Sequence, residues 1–361
     1  MPTVLACLQE RAPGERRVAL TPETARKFAA LGASVWIEPG AGKAAAFADA
    51  DYAGVERHPR EAILEAADLL LCVQSPEADE LARMKPGATL VGLLAPYRAD
   101  EREAVLDARR LTAFAMERLP RTTRAQSMDV LSSQAGMAGY KAVLLAAQLS
   151  PRFFPMLSTA AGTIRPSKVL VLGAGVAGLQ AIATARRLGA QVEGFDVRPE
   201  TREQIESLGG RFLDLGVSAA GRGGYARELS AEERALQQQR LAEHLRGVDA
   251  VICTAAVPGR PAPRIIDAAM VAGMRPGSVV VDLAAETGGN CELTQPGETI
   301  EHAGVVLAGP LNLASSGALH ASEMYARNLF NFVSLFLKDG TLAFDWNDDL
   351  LTGSCWRRPQ G

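Results

Sequence analysis

Apolar and polar positions along this chain follow two alternating rhythms. Residues 3–9, 34–38, 68–74, 89–94 and 112–115 are short apolar runs of strand length. Residues 22–31, 60–67, 79–84 and 100–108 instead repeat apolar positions at helical spacing. Thr21 is placed to cap the first of these helices, with Pro22 at its first position and Gly32 past its end. Thr24 stands where a capping box would have Glu. Strands that alternate with helices predict a parallel sheet. Residues 1–125 therefore read as a first α/β domain, with residues 10–17 as a charged loop.

Further on, Met128, Leu131, Ala135, Ala138, Ala142, Leu145 and Leu149 recur at roughly helical spacing, interrupted only by Gly136 and Gly139. They predict one long helix over 127–149, within a linking segment 126–150. Residues 151–166 read as a linker rich in small and turn residues. Strands are expected at 168–172, 191–196, 250–254, 278–282 and 305–308, in a second domain over 151–319. The last long apolar pattern, residues 320–338, predicts a second bridging helix that packs back on the first domain. The segment 320–361 then completes that domain.

The stretch Lys168-Val169-Leu170-Val171-Leu172-Gly173-Ala174-Gly175-Val176-Ala177-Gly178 carries the strongest chemical signal. An apolar run meets glycines spaced G-x-G-x-x-G, and a helical pattern follows. Gly173 permits the tight turn out of the strand. Gly175, having no Cβ, lets a pyrophosphate approach the backbone, and Gly178 lets the helix lie close to the sheet. The helix start, at Val176 and Ala177, offers free N–H groups and a positive dipole end to phosphates. The next strand ends in Asp196, whose carboxylate can accept from adenosine ribose hydroxyls and repels a 2′-phosphate. Arg198, one residue past Val197, works against that repulsion because it can attract a 2′-phosphate. Gln180 follows the third glycine closely enough to reach a phosphate or ribose. The order strand, triplet, helix, strand, acid predicts a dinucleotide site, with NAD(H) preferred. The expected fold class is α/β: two Rossmann-like doubly wound parallel-sheet domains joined by long helices. A fold of this kind without a cofactor is the alternative.

Composition adds exclusions. Of 361 residues, 48% are hydrophobic and 22% charged, ordinary for a soluble α/β protein, and the formal net charge of -3 gives no reason to expect nucleic acid as a partner. Cys7, Cys72, Cys253, Cys291 and Cys355 are scattered, which predicts no disulfide frame, no metal site and a reducing compartment. The first residues lack the basic and apolar regions of a signal peptide, and no apolar run has the length of a membrane span. Residues 217–241 interrupt the α/β alternation with a glycine-rich piece ending at Tyr225 and a charged helical stretch. The alternatives there are a mobile lid and a plain surface insertion.

Arg121-Thr122-Thr123-Arg124-Ala125-Gln126-Ser127-Met128-Asp129-Val130-Leu131-Ser132-Ser133-Gln134, followed by Ala138-Gly139-Tyr140, closely resembles the signature of the NAD(H)-binding component of proton-translocating nicotinamide nucleotide transhydrogenases. Arg16-Arg17-Val18-Ala19-Leu20-Thr21-Pro22 resembles an entry motif that these share with alanine dehydrogenases. Ala285-Glu286-Thr287-Gly288-Gly289-Asn290-Cys291 and Ser322-Glu323-Met324-Tyr325-Ala326-Arg327-Asn328-Leu329 are also similar to the transhydrogenase. The resemblance implies hydride exchange between NAD(H) on this chain and NADP(H) on a beta subunit. It implies a separate membrane-spanning alpha-type subunit for proton coupling, a homodimer, and a cytoplasmic place on the inner face of the membrane. It maps the family's Arg-Gln-Asp loop, at the nicotinamide end, onto Arg121, Gln126 and Asp129, with Ser132 beside them. It also makes 217–241 a mobile loop whose Tyr225 approaches the nucleotide. Capping of the long helix is the other role open to Asp129 and Ser132.

Reaction chemistry separates the two related activities. An amino-acid dehydrogenase moves a proton as well as a hydride, so it needs an acid/base and a cation for the substrate carboxylate. In the alanine dehydrogenases a lysine follows the valine of a Val-Lys-Glu-Pro segment, and a histidine ends the next strand. This chain has Val73-Gln74-Ser75-Pro76 and Leu94 there. Hydride passage between two nicotinamide rings needs only two rings in contact with water excluded. None of His58, His244, His302 and His320 lies in a catalytic motif. An alanine dehydrogenase-like oxidoreductase and a non-catalytic NAD-sensing module remain the alternatives.

Overall fold

The computed structural model describes residues 2–98, 100–219, 227, 229–256 and 259–359. The chain divides into two compact units, Met1–Gln134 with Ser315–Gly361, and Ala135–Ala314. In chain order the strands are β1 (Val4–Cys7), β2 (Ser34–Ile37), β3 (Glu56–Arg57), β4 (Leu69–Gln74), β5 (Thr89–Leu93) and β6 (Thr112–Ala115). Then come β7 (Leu157–Thr159), β8 (Gly162–Ile164), β9 (Lys168–Leu172), β10 (Gln191–Phe195), β11 (Arg211–Phe212), β12 (Ala250–Cys253), β13 (Val279–Asp282), β14 (Thr299–His302) and β15 (Val305–Ala308). The last are β16 (Leu337–Lys338), β17 (Thr341–Leu342) and β18 (Cys355–Arg357).

The first unit is built on a sheet in the order β18-β6-β5-β4-β1-β2-β3, parallel except for β18 against β6. The pleat sends Leu5, Cys7, Leu69 and Leu71 to one face and Ala6, Leu70 and Cys72 to the other. Both faces are buried, which is why these strands read as continuous apolar runs rather than as alternation. The helix Ala318–Val333 covers one face with Tyr325, Leu329, Phe332 and Val333. Its start lies near the expected one, but it ends at Val333. The tail beyond is not helical throughout: it runs through β16, β17, the short helix Asp349–Ser354 and edge strand β18. Thr24 proves to complete the capping box: its hydroxyl accepts the Thr21 N–H at 3.0 Å, and Thr21 Oγ1 accepts the Thr24 N–H at 3.4 Å.

The second unit's sheet runs β11-β10-β9-β12-β13-β15-β14, parallel except for β14 against β15. Val169, Val171, Val192, Ile252 and Val281 face one core, and Leu170, Leu172, Val251, Cys253 and Val280 the other. Strand order reverses between β9 and β12, the point at which open α/β sheets take ligands. The expected linker 151–166 contains the antiparallel hairpin β7–β8. The long helix is Val130–Leu149, beginning later than the apolar spacing suggests. Before it, Thr123–Met128 form a 3₁₀ turn, and Asp129 breaks the pattern with an extended backbone.

Candidate functional site

The glycine turn follows directly from its backbone. Gly173 has φ +96°, and a Cβ there would stand 2.7 Å from Thr254 Oγ1. A Cβ on Gly178 would lie 1.8 Å from the Gly173 carbonyl oxygen, so the helix Val176–Arg187 sits at this depth only because Gly178 has no side chain. A Cβ on Gly175 would meet nothing within 4 Å. That open space beside bare backbone is what a pyrophosphate requires. Gly175 is the N-cap, and no side chain caps the helix. Val176 is 47% exposed and Ala177 is half-buried, so this first turn faces outward with its dipole uncovered.

Asp196 follows β10 and is tied to the turn, accepting the Ala174 N–H on Oδ2 at 2.8 Å. Arg198 folds back on it, giving its backbone N–H and Nε to Oδ1, each at 2.9 Å, and Nη2 to Oδ2 at 2.7 Å. Burial alone would raise the Asp196 carboxyl, but the Arg198 bonds and the Ala174 N–H outweigh it and hold the group below the usual carboxylate range. The cation that sequence reading set against the acid is thus its direct partner. Val197 packs its side chain against the core and gives its carbonyl to the Ala219 N–H. Gln180 donates to Thr184 Oγ1 at 3.2 Å along its own helix. Tyr225 lies outside the described residues. The charged stretch of the insertion forms the helix Ala231–Leu245, capped by Ser230.

Arg121, Gln126, Asp129 and Ser132 belong to the first unit. Ala125, Met128 and Val130 anchor their segment in the core, and Asn328 and Asn331 both donate to the Ser127 carbonyl, at 2.8 and 2.9 Å. On this pinned turn Arg121 and Gln126 are exposed. Asp129 caps the long helix: Oδ1 accepts the Ser132 N–H at 2.9 Å and Oδ2 the Ser132 hydroxyl at 2.6 Å. The half-buried Asp129 and Ser132 therefore act first on each other.

The first sheet reverses strand order between β1 and β4, and at that place the charged loop is turned inward. Glu10 accepts the N–H groups of Val73 and Gln74, at 2.6 and 3.2 Å. Buried Arg17 grips Glu15 with Nε and Nη2 and gives Nη1 to Gln134 Oε1 at 2.9 Å. Gln74 Nε2 donates to Glu15 Oε2 at 3.2 Å, and Leu94 is fully buried. Sequence reading placed residues 10–17 in a loop, and nothing local marked them as interior. It also gave Gly139 no task beyond the motif. A Cβ there would lie 2.1 Å from the Ala177 carbonyl oxygen, so Gly139 lets the long helix touch the start of the phosphate helix.

A doubly wound sheet with an uncapped glycine turn at its reversal point, tied to an acid on the adjoining strand, defines a Rossmann-class dinucleotide fold. The chain belongs to the alanine dehydrogenase/PNT family: residues 6–138 match its N-terminal domain and residues 142–358 its C-terminal domain. It is 44% identical to an NAD(P) transhydrogenase alpha subunit of Rhodospirillum rubrum, over 98% of this chain and 96% of that one. A solved transhydrogenase structure from Sinorhizobium meliloti aligns with a TM-score of 0.89 at 44% identity, covering 98% of this chain and 97% of the other. An L-alanine dehydrogenase structure aligns with a TM-score of 0.80 at 26% identity, over 99% and 96%.

Proposed function

We propose that this chain is the NAD(H)-binding subunit of a proton-translocating transhydrogenase. In this reading hydride passes between NAD(H) on this chain and NADP(H) on a beta subunit. A separate membrane-spanning alpha-type subunit couples the exchange to proton movement. Among the described residues no helix is long and apolar enough to cross a membrane, in keeping with a subunit held at the inner face of the membrane by its partners. The chain works as a homodimer, as its resemblance implies.

The observation that carries the reading is what occupies the acid/base positions of an amino-acid dehydrogenase. Gln74 is spent on Glu15, and Leu94 is buried without a titrating group. Such a chain is equipped to hold a coenzyme and not to exchange protons with an amino acid. When bound, NAD(H) supplies the hydride at its nicotinamide carbon. Gly173, Gly175, Val176, Ala177 and Gly178 seat its pyrophosphate, and Asp196 holds its adenosine ribose. Gln126 binds the carboxamide and ribose of the nicotinamide half. Asp129 and Ser132 fix the turn that carries Gln126, and Arg121 steers the ring or the second nucleotide's pyrophosphate. Tyr225 covers the bound nucleotide.

The test is a mixing experiment. NADH and this chain, supplied with a recombinant NADP(H)-binding component and NADP⁺, are expected to transhydrogenate. Alone, the chain is expected to bind NADH and leave alanine unoxidised. Robust pyruvate amination by the isolated chain would move the assignment to alanine dehydrogenase. NADH binding with no transfer in the mixture would make it a sensing module. Gln126→Asn is expected to cost roughly a hundredfold in rate with less than about threefold in NADH affinity.

A further inference from the structure

Asp282 ends β13 and is 1% exposed. Its Oδ1 accepts the Ala284 N–H at 3.0 Å. Its Oδ2 accepts the N–H groups of Asn290 and Cys291, at 2.7 and 3.0 Å, and the Thr294 hydroxyl at 2.6 Å. Gly289 passes over this carboxylate with φ +79°, where a Cβ would stand 2.9 Å from Oδ2. One buried acid therefore fixes the loop after β13 and sets Asn290 in place.

Asn290 is fully buried and spends its whole amide on the chain that follows β12. Its Oδ1 accepts the Ala255 N–H at 3.0 Å, and its Nδ2 donates to the carbonyls of Ala255 and Pro263, at 2.7 and 2.9 Å. The preceding residue, Thr254, gives its hydroxyl to the Leu172 and Gly173 carbonyls, at 3.1 and 3.0 Å. The carboxyl ends of β9, β12 and β13 are thus bonded into one body that includes the glycine turn.

Sheet order gives that body a direction. Asp196 marks the adenosine side, at β10. With the pyrophosphate over the glycine turn, the other half of a dinucleotide crosses the reversal point toward β12 and β13. We infer that Asp282 and Asn290 are positioning residues for the nicotinamide half of the coenzyme. They hold the Thr254–Ala255 backbone as the floor beneath it and touch no coenzyme atom themselves. The inference rests on the glycine turn binding a dinucleotide.

The experiment compares NADH with ADP, which fills only the adenosine and pyrophosphate positions, by calorimetry on the full chain. Asn290→Asp keeps size but loses both donors. It is expected to weaken NADH binding about tenfold or more while changing ADP binding less than about twofold. Thr294→Val, which removes one bond to Asp282, is expected to shift the same ratio about threefold. Ser278→Ala is the control: it deletes a buried bond to the Val248 carbonyl at the far end of β13, and the ratio is expected to stay fixed. Equal losses for NADH and ADP, or a folded N290D with unchanged NADH binding, would overturn the inference. If N290D does not fold, the NADH/ADP ratio of T294V decides. A wild-type chain that binds neither ligand overturns the dinucleotide reading beneath it.

Discussion

Arg17 and Glu15 form a buried ion pair closed by two parallel bonds, Nε to Oε1 at 2.8 Å and Nη2 to Oε2 at 2.6 Å. Burial would lower the Arg17 guanidinium, but Glu15 outweighs it and holds the group above its ordinary value. The pair sits where the first sheet could take a ligand, and the chain's own carboxylate holds the cation there. Glu15→Ala would leave Arg17 buried with its charge uncompensated. It is expected to destabilise the first unit by about 3–5 kcal/mol. Glu15→Gln, which keeps an acceptor, is expected to cost less. Urea unfolding read by fluorescence checks both, and a Glu15→Ala loss below about 1 kcal/mol would refute the account.

Glu10, clasped to the end of β4 beside that pair, carries a pH dependence of unusual sign. Burial pushes its carboxyl from the ordinary 4.5 to about 8, against the Val73 and Gln74 N–H groups, and the Glu15 charge adds to the rise. Between these values the folded chain keeps a proton that the unfolded chain has released. Stability therefore falls as pH rises through the window, by a few kcal/mol, and levels off above it. His244 acts the other way, since burial lowers it from 6.5, but its influence ends near that value. Unfolding free energies from about pH 6.5 to about 8.5 are expected to decline for wild type and to be flatter for Glu10→Gln. Parallel profiles would show that Glu10 is ionised throughout.

Two glycines on the long helix have opposite surroundings. A Cβ on Gly136 would meet nothing within 4 Å, whereas one on Gly139 would meet the Ala177 carbonyl oxygen at 2.1 Å. Gly136→Ala is expected to stabilise by about 0.5–1 kcal/mol through helix propensity alone. Gly139→Ala must push the start of the phosphate helix aside. It is expected to destabilise by about 1–3 kcal/mol and to weaken NADH binding as well. Thermal melts with an NADH titration separate the two, and equal effects would mean that the contact relaxes freely.

These cases show which parts of the architecture can be read from residue order. Leu69–Gln74 is legible because both faces of β4 are buried, so its composition alone marks it as a strand. Glu56–Arg57 and Arg211–Phe212 are too short for any period to show, and β14 is mostly exposed. The apolar spacing of Met128 and Leu131 runs straight through the break at Asp129, because the cap is made by a side chain and leaves no trace in hydrophobicity. At the site, each glycine of the turn answers a local backbone need, and the motif states it. Asn290, Glu15 and Gly139 act on residues distant along the chain, and local pattern carries no information about such partners.

Coenzyme choice turns on Asp196 and the arginine that grips it. Arg198 covers both carboxylate oxygens, so it competes with ribose hydroxyls for the same acceptors and also offers a cation to a 2′-phosphate. Arg198→Ala is expected to leave NADH affinity unchanged or slightly higher and to weaken NADPH, raising the NADH preference about tenfold. Asp196→Asn should do the reverse: the charge that repels a 2′-phosphate is lost, and NADH binding falls by about 1–2 kcal/mol. Fluorescence titrations with both reduced coenzymes measure the ratio directly. If Arg198→Ala leaves it unmoved, Arg198 serves only to brace Asp196, and the preference resides in the carboxylate alone.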